Sequence, residues 1–254
     1  FEMDLTEKDI SEVIYADHIE KIQELKKMKR ATPARIGIGH TGARYKTAPM
    51  LRFHADQAAA ADAVFSEVPK EVVEQLGVFE VRTKCRNKHE MLTRPDLGRL
   101  FDEPTQQYIR EHCIQNPDVQ IYFGDGLCSP SIRANVPDLF PTLKYGLTDR
   151  GISVGTPFFV RYCRVNTART IGPLVNAKVS CVLIGERPGL LTSESMSAYI
   201  AYNARPDMSE SDYTVVSNIS RHGIPPVEAA AHIVDLILLM LKEKKSGVAL
   251  KQQG

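Results

Sequence analysis

Apolar positions along this chain follow two rhythms. In the first thirty residues, Ile10, Val13, Ile14, Ile22 and Leu25 recur at helical spacing among Glu and Lys. Thr6 with Asp9 three residues on resembles a capping box, and Lys26-Lys-Met-Lys-Arg30 suits a helix C-terminus. The pattern predicts a charged helix on the outside or against a partner. An Ala-rich helix is predicted from His54 to Phe65, and another from Val68 to Leu76, stopped by Gly77. Val78 to Arg82 reads as a short strand and Arg94-Pro-Asp-Leu-Gly98 as a turn. Asp102 followed by Pro104 marks the start of a helix reaching Asn116.

From about residue 117 strand and helix signals alternate, which predicts βαβ units and a parallel sheet. Val119 to Phe123 is a strand, Gly124 to Cys128 a tight loop, and Ser129-Pro130 a helix start with Ser as cap. Val154 to Tyr162 is a further strand, with Pro157 at an edge or end. Ala168 to Asn176 reads as a short helix, Ser193 to Tyr202 as a segment able to be helical, and Val215 to Ile219 as a short strand or turn. The apolar run Val179 to Ile184 is the strongest strand, and it ends in Gly185-Glu-Arg-Pro-Gly189. Pro225 to Lys245 is a long helix ended by Gly247. Val227, Ala230, Ala231, Val234, Leu238 and Leu241 form its stripe, widened by Ile233, Leu236 and Leu239. It is read as core, with contact to another subunit as the alternative.

Composition narrows this little. A length of 254 residues and 43% hydrophobic content support one or two domains with a core of their own. A formal net charge of +1 gives no prior for nucleic acid or an anionic membrane surface. No apolar run is long enough for a membrane span and no secretory signal is visible. The chain begins at Phe1 rather than Met, which points to sequence upstream of it. Cys85, Cys113, Cys128, Cys163 and Cys181 form no C-x-x-C pair, which favours reduced thiols and gives no structural zinc site.

Gly37, Gly39 and Gly42 form a literal G-x-G-x-x-G, with Asp62 about twenty residues later. A dinucleotide fingerprint needs an apolar strand before it and a helix opening within it. Here a charged helix and Thr32-Pro33 precede, Arg44, Lys46 and Pro49 follow, and the next helix is expected near Asp56. The glycines are therefore read as shaping a loop, with Arg44 and Lys46 available for a partner or an anion.

In an open α/β sheet, ligands sit beyond the carboxyl ends of the strands. Three such ends are Gly124-Asp-Gly126, Tyr162-Cys-Arg-Val165 and Gly185-Glu-Arg-Pro-Gly189. Asp125, Arg164, Glu186 and Arg187 would supply polar contacts there; the alternative is an ordinary exposed turn. No nucleophile elbow, H-E-x-x-H or P-loop is present, so no catalytic set is assigned.

Beyond these local readings, longer blocks occur in one order. They run from Leu51-Arg-Phe with Ala55-Asp56 through Phe79-Glu-Val-Arg82, Leu92-Thr-Arg-Pro-Asp-Leu-Gly98, Asn116-Pro-Asp-Val-Gln120 and Asp125-Gly-Leu127. They continue with Val154-Gly-Thr-Pro-Phe-Phe-Val-Arg-Tyr162, Gly185-Glu-Arg-Pro-Gly-Leu190, Ser193-Glu-Ser195, Ser217-Asn-Ile219 and Pro225-Pro-Val-Glu-Ala-Ala230. From about Thr32 onward the chain resembles the small (light) subunit family of adenosylcobalamin-dependent ethanolamine ammonia-lyase.

The resemblance implies an α/β fold: a Rossmann-like, parallel-sheet cobalamin-binding domain over 101–254, preceded by a mostly helical region over 1–100, an arm plus a small domain. It implies a hetero-oligomer with several copies of each chain, in which a large subunit carries the ethanolamine site. Homolysis of the Co–C bond, hydrogen abstraction, amine migration and release of acetaldehyde and ammonia then belong to the cofactor and that partner. It also implies a cytoplasmic enzyme within a bacterial microcompartment, with no nucleic acid and no membrane as partner. Carried over by motif, the cobalamin contacts are Val165, Glu186 and Val215, the last where the family has Cys. The base-off signature Asp-x-His-x-x-Gly is absent, so no side chain of this chain is assigned to cobalt. Two rival readings are a stand-alone nucleotide-dependent oxidoreductase using the three glycines, and an assembly module that has lost its ligand.

Overall fold

The computed structural model describes residues 4–6, 8–10 and 12–251. The chain divides into two compact units: residues up to Asp62 with Gly189–Thr192, and Ala63–Pro188 with the residues from Ser193 on.

The first unit contains α1 (Ile22–Arg30), the two-residue strands β1 (His40–Thr41) and β2 (Arg44–Tyr45), and most of α2 (Thr47–Phe65). The N-terminal helix is thus shorter than the apolar spacing suggested. The amides of Tyr15 and Ala16 donate to the Gly37 carbonyl, at 2.8 and 3.0 Å, rather than to carbonyls one turn back. Thr6 likewise bonds to the Asp4 carboxylate and caps no helix. In contrast, α2 begins at Thr47, well before Asp56, because Pro49 falls in its first turn, where a missing N–H costs no hydrogen bond. Asp56, almost fully buried, is held by Arg35 at 2.7 Å and Arg52 at 2.8 Å. The three glycines of the G-x-G-x-x-G shape a loop and the β1–β2 hairpin, and all have positive φ. Lys46, expected to be available, pairs with Asp17.

The second unit runs α3 (Lys70–Gln75), β3 (Phe79–Arg82), α4 (Lys88–Thr93), α5 (Glu103–His112), β4 (Val119–Gly124), α6 (Pro130–Thr148), β5 (Phe158–Arg161) and α7 (Ala168–Val175). It continues with β6 (Val179–Gly185), β7 (Met196–Tyr202), β8 (Thr214–Ile219), α8 (Pro226–Glu243) and α9 (Val248–Lys251). Its six strands lie in the order β3-β5-β4-β6-β7-β8. The first four are parallel; β6, β7 and β8 are joined antiparallel. The sheet is therefore mixed rather than purely parallel.

The correction comes from Ser193–Tyr202, which is not a helix. Met196 to Tyr202 pairs along its length with Val179 to Gly185, and this long-range ladder overrides weak local preference. A crossover helix is replaced by an antiparallel return, which needs no helix.

Every residue of β4 and β6 is buried, as expected for strands covered on both faces. On one face, α6 and α8 pack through Leu139, Leu143, Ile233 and Ile237 onto Ile121, Phe123, Cys181 and Leu183. Each such side chain contributes ~1.5–3 kcal/mol on burial. On the other face, α5 and α7 cover Tyr122, Phe158, Val160, Val182 and Ile184. The buried stripe of α8 is Ala229, Ala230, Ile233, Val234, Ile237 and Met240, while Val227 and Leu239 remain exposed. The helix belongs to the core, rotated from the stripe read in sequence. It ends at Lys244 in the left-handed conformation, ahead of Gly247. Asp102 caps α5 as expected, accepting from the Thr105 amide at 3.0 Å. Ser129 does not cap α6; its hydroxyl donates to the Ser66 carbonyl. Among the described residues, no helix is long and apolar enough to cross a membrane.

Candidate functional site

The carboxyl ends of β5, β4 and β6 carry the loops expected to bind a ligand. Beyond β5, Tyr162 adopts a left-handed φ of 58°, which turns the chain sharply. Arg164 then leads into a single 3₁₀ turn, Val165–Thr167. Val165 is half-buried and, like Tyr199, packs against the buried cluster of Ala168, Ala201, Ala204, Met208 and Tyr213.

Beyond β6, Glu186 is half-exposed and its backbone is fixed by its amide, which donates to the Ser195 carbonyl at 3.0 Å. Its carboxylate oxygen Oε2 accepts from the Ser195 hydroxyl at 2.6 Å and from the Asn218 amide at 3.2 Å. Among the described residues, Oε1 accepts no hydrogen bond. Ser195 precedes β7, and Asn218, in the left-handed conformation, lies on β8. The acid is thus tied to both antiparallel strands.

Val215 lies on β8, the sheet's edge, and is 41% exposed. Its register partner is Tyr199 on β7. Opposed residues of an antiparallel pair share a face, so Val215 and Tyr199 stand on the side opposite α6 and α8. Burial pushes the Tyr199 phenol up, and the nearby carboxylates of Glu186 and Glu210 push it the same way. Val215 thus stands opposite Tyr199, Val165 and Tyr199 pack against one buried cluster, and Glu186 is bonded to Ser195 before β7 and to Asn218 on β8.

Two of the other expected polar residues, Asp125 and Arg164, are engaged within the fold. Asp125 is fully buried: it accepts from the amides of Tyr162 at 3.0 Å and Cys163 at 2.8 Å, with the Lys88 ammonium 3.6 Å away. Burial pushes its carboxyl up, while Lys88 and the two amides pull it down. Arg164 donates to the Met91 carbonyl at 2.9 Å. Arg187 is exposed at the loop. Tyr199, Ser195, Asn218 and Lys88 were not singled out in the sequence. Ser195 and Asn218 do fall in the short blocks Ser193-Glu-Ser195 and Ser217-Asn-Ile219, but Tyr199 was hidden by the helical reading of its segment.

Partly exposed valines and a tyrosine beside a carboxylate anchored at one oxygen suit a large ligand with an apolar face and hydrogen-bond donors on its rim. The family profile "Ethanolamine ammonia-lyase light chain (EutC)" matches residues 22–251. The chain is 49% identical over 248 residues to the ethanolamine ammonia-lyase small subunit of Clostridium perfringens, covering 98% of this chain and 84% of that relative. It is 50% identical to the small subunit of Clostridium tetani over the same shares. It is also 50% identical over 231 residues to that of Clostridium acetobutylicum, 91% of this chain and 96% of the relative. On these matches the chain belongs to the ethanolamine ammonia-lyase small-subunit, or light-chain, family.

Proposed function

We propose that the rim formed by Val165, Glu186 and Val215 around Tyr199 is this chain's wall of an adenosylcobalamin site, completed by the large subunit of ethanolamine ammonia-lyase. The chain is then a subunit of a C–N lyase that helps to hold the cofactor, while ethanolamine is bound by the partner. The observation that supports the reading is the placing of Val215 opposite Tyr199, of Val165 and Tyr199 against one buried cluster, and of Glu186 on hydrogen bonds from Ser195 and Asn218 beside them in the sheet.

The residues fit such a group. A corrin offers broad apolar faces and amide side chains at its margin. Val165, Val215 and the Tyr199 ring supply apolar contact, and Glu186 keeps an oxygen able to accept an amide N–H. Ser195 and Asn218 hold that carboxylate against the sheet, so its position is set before any ligand arrives. Valine at 215 serves as an apolar contact where the family has a thiol. When bound, adenosylcobalamin supplies radical chemistry. The work of this chain is to bind, orient and shield the cofactor's flank from water. A bacterial microcompartment is the proposed setting.

The test is co-expression with the large subunit. Glu186→Ala is expected to weaken cobalamin retention by the assembled enzyme without unfolding this chain, and aldehyde release from ethanolamine should require both chains. Unchanged cobalamin affinity in Glu186→Ala and Val165→Ala would dismiss the reading.

A further inference from the structure

The buried pair of Lys88 and Asp125 holds the loop after β5 directly and reaches the end of β6 through the loop after β4. Asp125 has no solvent exposure and Lys88 only 4%. The two carboxylate oxygens accept separately, Oδ2 from the Tyr162 amide and Oδ1 from the Cys163 amide. Those amides follow β5 directly, and Val165 lies two residues beyond Cys163. Tyr162 has a positive φ, a conformation that persists only when its surroundings hold it.

On the other side, Lys88 donates to the Gly126 carbonyl at 2.8 Å and to the Ser129 hydroxyl at 3.3 Å. That loop presses on the end of β6. The Leu127 amide donates to the Gly185 carbonyl at 3.0 Å, and a Cβ on Gly126 would lie 2.3 Å from the same oxygen. A Cβ on Gly185 would lie 2.5 Å from the Asp125 carbonyl. Glu186 is the next residue.

We propose that Asp125, paired with Lys88, is a positioning residue that sets the spacing of Val165 and Glu186, and hence the affinity of the rim for a corrinoid. The inference rests on the cobalamin reading above. A neutral amide in place of the acid would serve only one of the two backbone N–H groups and leave the Lys88 charge buried without its partner.

The experiment titrates cyanocobalamin into the assembled two-subunit enzyme and follows its absorbance. Asp125→Asn is expected to weaken binding about tenfold, the size of effect seen when a supporting residue behind a site is lost. At saturating adenosylcobalamin, kcat and the KM for ethanolamine should stay within about twofold, which separates positioning from general damage. In a Val165→Ala/Glu186→Ala background the same substitution should cost less than about threefold, since the contacts it positions are gone. If Asp125→Asn prevents folding, Lys88→Gln, which keeps a donor for Gly126, carries the same expectations. Wild-type affinity in Asp125→Asn while Glu186→Ala binds weakly overturns the proposal alone. So does a full penalty that persists in the doubly substituted background. Unchanged affinity in Glu186→Ala and Val165→Ala overturns the cobalamin reading and the proposal with it.

Discussion

Val215 on the edge strand stands directly across from Tyr199, on the face of the sheet that α6 and α8 leave to other elements. That pairing places an exposed valine beside a half-buried ring.

The pairing makes Val215 an apolar contact point with little structural duty. Val215→Asp is expected to change stability by less than about 1 kcal/mol, since the residue is surface-exposed at an edge. Cobalamin binding by the assembled enzyme should fall about tenfold, because a charge would face an apolar surface. Urea melts paired with cofactor titration check both halves; a large stability loss with intact binding would contradict the assignment.

Ser195 anchors Glu186 through a 2.6 Å bond from its hydroxyl. Ser195→Ala removes one of two donors to Oε2, a loss of about 1 kcal/mol in fixing the carboxylate. Cobalamin affinity should fall about fivefold, with the melting temperature of the assembled enzyme lowered by no more than about 4 °C. Isothermal titration with the corrinoid reads the first and calorimetric unfolding the second.

Gly126 is required where the β4 loop meets the end of β6. Its φ of 54° disfavours any side chain, and an added Cβ would lie 2.3 Å from the Gly185 carbonyl. Gly126→Ala should destabilise the chain by about 2–3 kcal/mol, combining backbone strain with a forced shift. Chemical denaturation measures this, and a loss under about 0.5 kcal/mol would show that the two loops are not tightly apposed.

At the opposite end of the sheet, Asp118 accepts from Lys178 at 2.7 Å and from the amide and hydroxyl of Ser153 at 2.9 and 2.7 Å. The Lys178 hydrogen bond, helped by Ser153, lowers its pKa from 3.8 to about 2. A folded pKa below the unfolded one stabilises the fold above the unfolded value and is lost as pH falls through the folded value. The contribution is therefore full at neutral pH and disappears between about pH 4 and pH 2. Solvent screening at this rim trims it to about 1 kcal/mol. Asp118→Asn should lower the urea midpoint at pH 7 and converge with the parent chain near pH 2; a pH-independent difference would refute the account.

The apolar runs of β4 and β6 and the polar loops behind them were legible because strands buried on both faces need no alternation. The Asp102 cap was legible because capping uses groups a few residues apart. The partners of Asp125 were not legible for the opposite reason: its position in a polar loop says nothing of the two amides after β5 that bond its oxygens. The three glycines matched a regular pattern, but their positive φ values serve a hairpin outside the large sheet.

By itself the sequence determined the strand–helix alternation from β4 to β6, its two buried strands, most helix boundaries after residue 100, and the family, through ordered blocks of residues. Tertiary structure decided what depends on distant partners. It turned Ser193–Tyr202 from a helical candidate into β7 by pairing it with β6, and so made the sheet mixed. It also set Val215 opposite Tyr199, packed Val165 and Tyr199 against one cluster, and tied Glu186 to Ser195 and Asn218. Local propensity is weak where a segment lacks a clear period, and strand pairing across long chain separations then supplies the larger free energy.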